Sequence, residues 1–150
     1  MRLREANMIV NRILSIKGNN VVSIEPDRTL GEAAKLLSDR KIGALLVCDD
    51  RQPVSGIVSE RDIVRAISDH GAQALSEPVS RFMTERVVTC TTKTQINDIM
   101  EIMTREKFRH VPVVENGSLM GIVSIGDVVK LRLEEIEAEA QAIKEYIATA

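Results

Sequence analysis

Gly56-Ile57-Val58-Ser59-Glu60-Arg61-Asp62 and Gly121-Ile122-Val123-Ser124-Ile125-Gly126-Asp127 are two writings of one pattern. Each has a glycine, two β-branched residues, a serine, and an aspartate three positions after the serine. The β-branched pair favours a strand. Ser-x-x-Asp marks a helix start: the serine oxygen accepts from N–H groups of the first turn, and the acid reaches back to the serine N–H. Each copy therefore reads as a strand that runs directly into a helix.

From these anchors the likeness spreads outward. The stretch from Val21 to Val64 aligns with Val87 to Val129 when one gap stands opposite Gln52, giving 10 identities in 43 pairs. Five of the ten fall in the quoted motif, and the apolar pattern matches throughout. Each copy reads as strand, helix, strand, strand, helix. Val21-Val22 and Val87-Val88 open the first strands. The following helices carry apolar faces, Leu30, Ala33, Leu36 and Leu37 in one and Ile96, Ile99, Met100 and Met103 in the other. Thr29 with Glu32 signals a capped start. Ala44–Cys48 and Val111–Val114 are short apolar strands, returning as Val54–Val58 and Leu119–Val123. The turn between the second pair, Asn116-Gly117, tolerates positive φ at both positions and signals a tight hairpin. A repeat of about 45 residues cannot cover both faces of its own sheet. The two copies are expected to pack sheet against sheet, joined by Asp69–Pro78.

Composition narrows the function. Aromatic residues are 2% of the chain and net charge is −2, which leaves neither stacking platforms nor a basic surplus for nucleic acid. The longest clean apolar run, Ala44–Cys48, is far too short to span a membrane, and the charged N-terminal stretch has no continuous apolar segment of a secretory signal. Cys48 and Cys90 form no CxxC pair and sit in apolar runs, so they read as small core residues. With His70 and His110 the only histidines, no zinc set is expected. These features point to a cytoplasmic, metal-free chain.

Beyond Asp127 the helical pattern continues without Gly or Pro. Val129, Leu133, Ile136, Ala140, Ile143 and Ile147 are spaced 4, 3, 4, 3, 4, a heptad seam flanked by Glu134, Glu135, Glu137, Glu139, Lys144 and Glu145. Either the helix lays this seam on its own domain, or two chains pair through it.

The paired motifs, together with the Phe108–Val114 strand, resemble the CBS-domain family in its two-repeat arrangement, the Bateman module. The resemblance covers about residues 9–130. It implies an α+β fold of two pseudo-symmetric β-α-β-β-α repeats packed through their sheets, with an extended C-terminal helix. The expected division is residues 1–70 for the first repeat, 71–79 for a linker, 80–132 for the second repeat and 133–150 for the helix extension. Family members are chiefly regulatory sensors, and many bind AMP, ADP, ATP, NAD(H) or S-adenosylmethionine in clefts between repeats. A homodimer is also implied.

That resemblance gives the Ser-x-x-Asp motifs a second reading beside capping. A carboxylate accepts two hydrogen bonds and suits vicinal ribose hydroxyls, and a helix N-terminus suits phosphate. In relatives the aspartate holds ribose and the serine lies near phosphate, which nominates Ser59 with Asp62 and Ser124 with Asp127. Basic residues from the other repeat's middle strand meet the phosphate. The second copy supplies Arg109 and His110, whereas the first has Gly43 and Ala44 at those positions. The Asp62 cleft is thus expected to be the tighter phosphate site, since a charge-assisted hydrogen bond contributes about 1.5–3 kcal/mol, roughly tenfold or more in affinity. Arg109 and His110 also have an alternative as exposed strand residues. Val22, Ile24, Val88 and Cys90 either wall the adenine slots or belong to the core. Asp27, Thr29, Thr92 and Thr94 either touch ligand or cap helices. Gly56 and Gly121 mark a close approach of backbone.

The function expected is a stand-alone energy-sensing module that binds an adenine nucleotide, AMP first, and signals by conformational or oligomeric change to a regulated protein in trans. The alternative is an oligomeric scaffold with vestigial clefts. No nucleophile–base–orienter set and no phosphate-cradling glycine loop points to an enzyme.

Overall fold

The two anchor motifs become the return strands of two hairpins in the computed structural model, which describes residues 8–149. In the first half, β1 (Ser23–Ile24) runs parallel to β2 (Ala44–Asp49), which pairs antiparallel with β3 (Gln52–Ser59). The turn is tighter than its sequence suggests. The Asp49 carboxylate accepts the N–H groups of Arg51 at 2.7 Å and Gln52 at 3.2 Å, so the return strand begins at Gln52. These bonds, the Arg51 one foremost, hold the Asp49 carboxyl below its usual range. In the second half, β4 (His110–Glu115) and β5 (Ser118–Ser124) flank Asn116 and Gly117, whose φ values of 52° and 77° are those of a tight hairpin turn. The strand expected before them shrinks to a single bridge, Cys90 parallel to Val113.

Helices follow the apolar spacing. Helix α1 (Val10–Lys17) precedes the first sheet. Helix α2 (Leu30–Arg40) starts at Thr29, whose hydroxyl accepts the Glu32 N–H at 3.1 Å. Helices α3 (Glu60–His70), α4 (Ile96–Glu106) and α5 (Ile125–Thr149) complete the chain. Both α2 and α4 end on a lysine in the left-handed region, Lys41 at φ 55° and Lys107 at φ 59°. This shared irregularity is what a duplicated unit would keep.

Two cores form, and the chain exchanges segments between them. The first contains Leu30, Leu37, Leu45, Val47 and Val58, together with Ala74 and Val79 from the two 3-10 turns, Ala72–Ser76 and Val79–Arg81, that join the repeats. The second contains Ile96, Ile99, Val111, Val113 and Val123, together with Val10, Ile13 and Leu14 of α1. The segment ahead of each repeat therefore packs into the other half. At about 1.5–3 kcal/mol per fully buried aliphatic side chain, the three α1 residues make this a strong clasp.

The strand glycines explain how the exchange fits. A Cβ on Gly56 would stand 2.8 Å from both Met83 Sδ and the Thr84 carbonyl oxygen, and one on Gly121 would stand 2.6 Å from Leu14 Cδ2. Each glycine leaves room for the segment that crosses over it.

Candidate functional site

Backbone symmetry sets the geometry. The Glu60 N–H donates to the Gly43 carbonyl at 3.0 Å, and the Ile125 N–H donates to the Arg109 carbonyl at 2.9 Å. These equivalent bonds bring the start of each strand-following helix against the start of the other hairpin strand of its own repeat. Both caps form. The Ser59 hydroxyl accepts from the Asp62 N–H at 3.3 Å while Asp62 Oδ2 accepts the Ser59 N–H at 2.8 Å. Ser124 and Asp127 do the same at 3.1 and 2.9 Å.

Between the halves lies a cleft of about 740 Å³. It gathers seven of the sequence-nominated residues: Gly43, Ser59, Asp62, Val88, Arg109, His110 and Ser124. Asp62 is 9% exposed, and its Oδ1 lies 3.5 Å from the Thr84 hydroxyl, a loose contact that leaves that oxygen able to accept more. The His110 ring sits against Gly43, with Cε1 and Nε2 each 3.8 Å from where a Cβ would stand, an ordinary van der Waals contact.

Three nominated residues are elsewhere. Ala44 is buried within β2, and Val22 packs on the first core. Asp127 is tied to Lys17, whose Nζ is 2.7 Å from Oδ2 and also donates to the Ile122 carbonyl at 2.9 Å. The lysine reaches across because α1 is anchored in the second core. Of the residues with an open alternative, Cys90 is core, and Thr29 caps α2. The Thr92 N–H and hydroxyl both donate to Glu115, and the Thr94 hydroxyl accepts the Thr91 N–H.

The cleft is more basic than its two nominated cations suggest. Arg61, Arg65, Arg86 and Lys107 also line it, so five cations face the three carboxylates of Glu60, Asp62 and Glu106. Arg86 pairs with Glu106 at 3.4 Å. Among the described residues, Arg61, Arg65, Lys107 and Arg109 have no carboxylate within ion-pair distance. The sequence held a signal for two of these. Arg61 lies inside the motif, and Arg65 is one turn further along the same helix face.

His110 behaves differently from the other basic groups. Burial pushes its pKa down, and the nearby charges of Lys17 and Arg109 push the same way against Asp127 and Glu60. It therefore gives up its proton more readily than an ordinary histidine. Asp127 is held low: burial alone would raise its pKa, but the Lys17 and Ser124 hydrogen bonds outweigh it. Burial raises both thiols, Cys48 with help from Asp49 and Cys90 up to about 12, which makes them poor nucleophiles at neutral pH.

The family model described as the CBS domain matches residues 13–69 and again 79–134. The chain belongs to the CBS-domain family. Among solved structures, the CBS-domain containing protein ATU1752 from Agrobacterium tumefaciens is 50% identical with a TM-score of 0.80, over 83% of this chain and 92% of that one. The Arabidopsis thaliana protein CBSX3, described as mitochondrial, is 36% identical over 125 residues, 81% of this chain and 61% of its own length. The CBS domain pair of protein MJ0100, solved with 5′-methylthioadenosine and S-adenosyl-L-methionine, has a TM-score of 0.75 at 23% identity, over 85% of this chain and 97% of that one. A tandem CBS pair is generally a regulatory, non-catalytic module. Among the described residues no helix is long and apolar enough to cross a membrane.

Proposed function

We propose that this tandem CBS pair is a regulatory module that binds an adenine nucleotide in the cleft between its repeats. The observation that carries the reading is convergence. One cleft holds the buried Asp62 carboxylate, its Oδ2 held by Ser59 and its Oδ1 met only loosely by Thr84, beside cations contributed by both repeats. Asp62 would accept the ribose hydroxyls, with Ser59 and the α3 N-terminus near phosphate. Arg109 would meet the phosphate from the second repeat. The adenosine ligands of MJ0100, which shares the fold, support the ligand class. The additional Arg61, Arg65 and Lys107 support more than one phosphate, which puts ADP and ATP beside AMP and ahead of the sulfonium cation S-adenosylmethionine.

In this reading the module is not an enzyme. It acts in the cytoplasm, and binding favours one arrangement of the repeats that a separate regulated protein senses. The ligand shifts that equilibrium only by its differential affinity for the two arrangements. Calorimetry with AMP, ADP, ATP, NAD+, NADH and S-adenosylmethionine tests the assignment on native protein and on Asp62→Asn. Nucleotide binding that drops sharply in Asp62→Asn supports it. Failure of all six to bind the native protein favours instead an oligomeric scaffold with vestigial clefts.

A further inference from the structure

Helix α5 leaves the domain with one face used and another bare. Val128 and Leu131 are buried in the second core. The heptad seam lies on a different face: Val129 is 46% exposed, Leu133 55%, Ile136 48%, Ile143 59% and Ile147 68%, and Ala140 is exposed as well. The helix does not lay this seam on its own domain.

The charges beside the seam choose its occupant. With Val129, Ile136 and Ile143 at d and Leu133, Ala140 and Ile147 at a, the flanking g positions include Arg132 and Glu139, and the e positions include Glu137 and Lys144. In a parallel, in-register pair of α5 helices, each g residue meets the e residue five positions further along the partner helix. Arg132 then faces the partner's Glu137, and Glu139 faces the partner's Lys144. Both contacts join opposite charges, and symmetry makes each occur twice. An antiparallel pair with full overlap does the reverse, setting Glu137 against Glu137, Glu139 against Glu139, and Lys130 against Lys144. An anionic lipid surface is a poor alternative, because α5 carries six carboxylates against three cations.

We propose that α5 pairs with α5 of a second copy as a parallel, in-register two-stranded coiled coil from Val129 to Ile147, with Arg132–Glu137 and Glu139–Lys144 contacts between chains. Arg132 now reaches Glu135 of its own helix at 3.4 Å, and it exchanges that partly buried contact for the interchain one. This inference does not depend on the nucleotide reading.

Sedimentation equilibrium of the full chain, with and without seam substitutions, is the test. These side chains are exposed, so substitution leaves both cores intact, and circular dichroism verifies it. The native chain is expected to be dimeric, and Ile143→Glu monomeric. Glu139→Lys is expected to weaken the dimer by roughly tenfold, since two attractive pairs become repulsive, and Glu139→Lys with Lys144→Glu to restore it. Under mild oxidation Ile143→Cys should form a covalent dimer while the native chain, with its own two cysteines, does not. A monomeric native chain at all concentrations, a dimer indifferent to Ile143→Glu, or a dimer in which Ile143→Cys fails to cross-link would each overturn the proposal.

Discussion

Replacing Lys17 with Met tests how the second half of the pair is locked. Methionine keeps the unbranched apolar stem and deletes the ammonium, whose Nζ sits 2.7 Å from Asp127 Oδ2 and 2.9 Å from the Ile122 carbonyl. The two side chains are 31% and 24% exposed. A charged hydrogen bond away from water contributes about 1.5–3 kcal/mol, and a fully exposed ion pair about 0–1 kcal/mol. Partial exposure puts this contact between those limits, so the expected loss is about 1–2 kcal/mol. The loss should depend on pH. Asp127 is held below its ordinary carboxylate value by Lys17 and Ser124 against the opposing effect of burial. A depressed acid contributes stability above its unfolded pKa of about 3.9, and that stability disappears as pH falls through the folded value. Urea unfolding of native and Lys17→Met protein should therefore differ by the full amount at pH 7 and converge as acid protonates Asp127 below its ordinary range. NMR titration supplies a second readout. The Lys17 charge pushes the His110 pKa down, so the variant should titrate His110 at higher pH. Equal stability at pH 7, or a gap unchanged in acid, would show that the ion pair does not anchor α1.

Other expectations follow from the same geometry. Gly56→Ala should destabilise more than Gly121→Ala, by about 1–3 kcal/mol, because its Cβ meets the Thr84 backbone oxygen at 2.8 Å whereas the Gly121 clash is with the tip of Leu14; chemical denaturation of both variants gives the order. Arg109→Ala should weaken a nucleotide by roughly tenfold or more and leave adenosine almost unchanged, as calorimetry would report. Burial and the nearby Lys17 and Arg109 charges push the His110 pKa down, and a phosphate beside it would raise it. Nucleotide binding should therefore take up protons and strengthen as pH falls toward 6, visible as a buffer-dependent binding enthalpy.

The hairpins, the helix faces and the duplicated caps were legible in the sequence because each is written in local residues. Val-rich strands, Asn116-Gly117 and Ser-x-x-Asp need no knowledge of distant chain. The Asp62 side of the cleft was legible too, through the alignment that sets Arg109 opposite Gly43. What stayed hidden depends on contacts between residues far apart in the chain. Nothing near Val10 announces that α1 will enter the core of the second repeat. Lys17 shows no sign of its pairing with Asp127, 110 positions away. The lowered pKa of His110 also escaped, because residue type alone does not show that the ring is buried beside Lys17 and Arg109.

That same crossover makes the two halves unequal. Their backbones repeat each other down to the Glu60–Gly43 and Ile125–Arg109 hydrogen bonds, so a backbone-level argument would give both aspartates the same task. Side chains break the symmetry twice. Arg109 stands where the first repeat has Gly43, and it joins Arg61, Arg65 and Lys107 in the cleft that holds Asp62. Lys17, carried over by α1, neutralises Asp127, whereas Asp62 meets only uncharged groups, Ser59 and, at 3.5 Å, Thr84. In the proposed reading both differences act in one direction: each favours the Asp62 cleft for an anionic ribose-containing ligand. Relief of the second constraint by Lys17→Met should therefore not produce an equal phosphate site at Asp127, because the cations missing there are not restored.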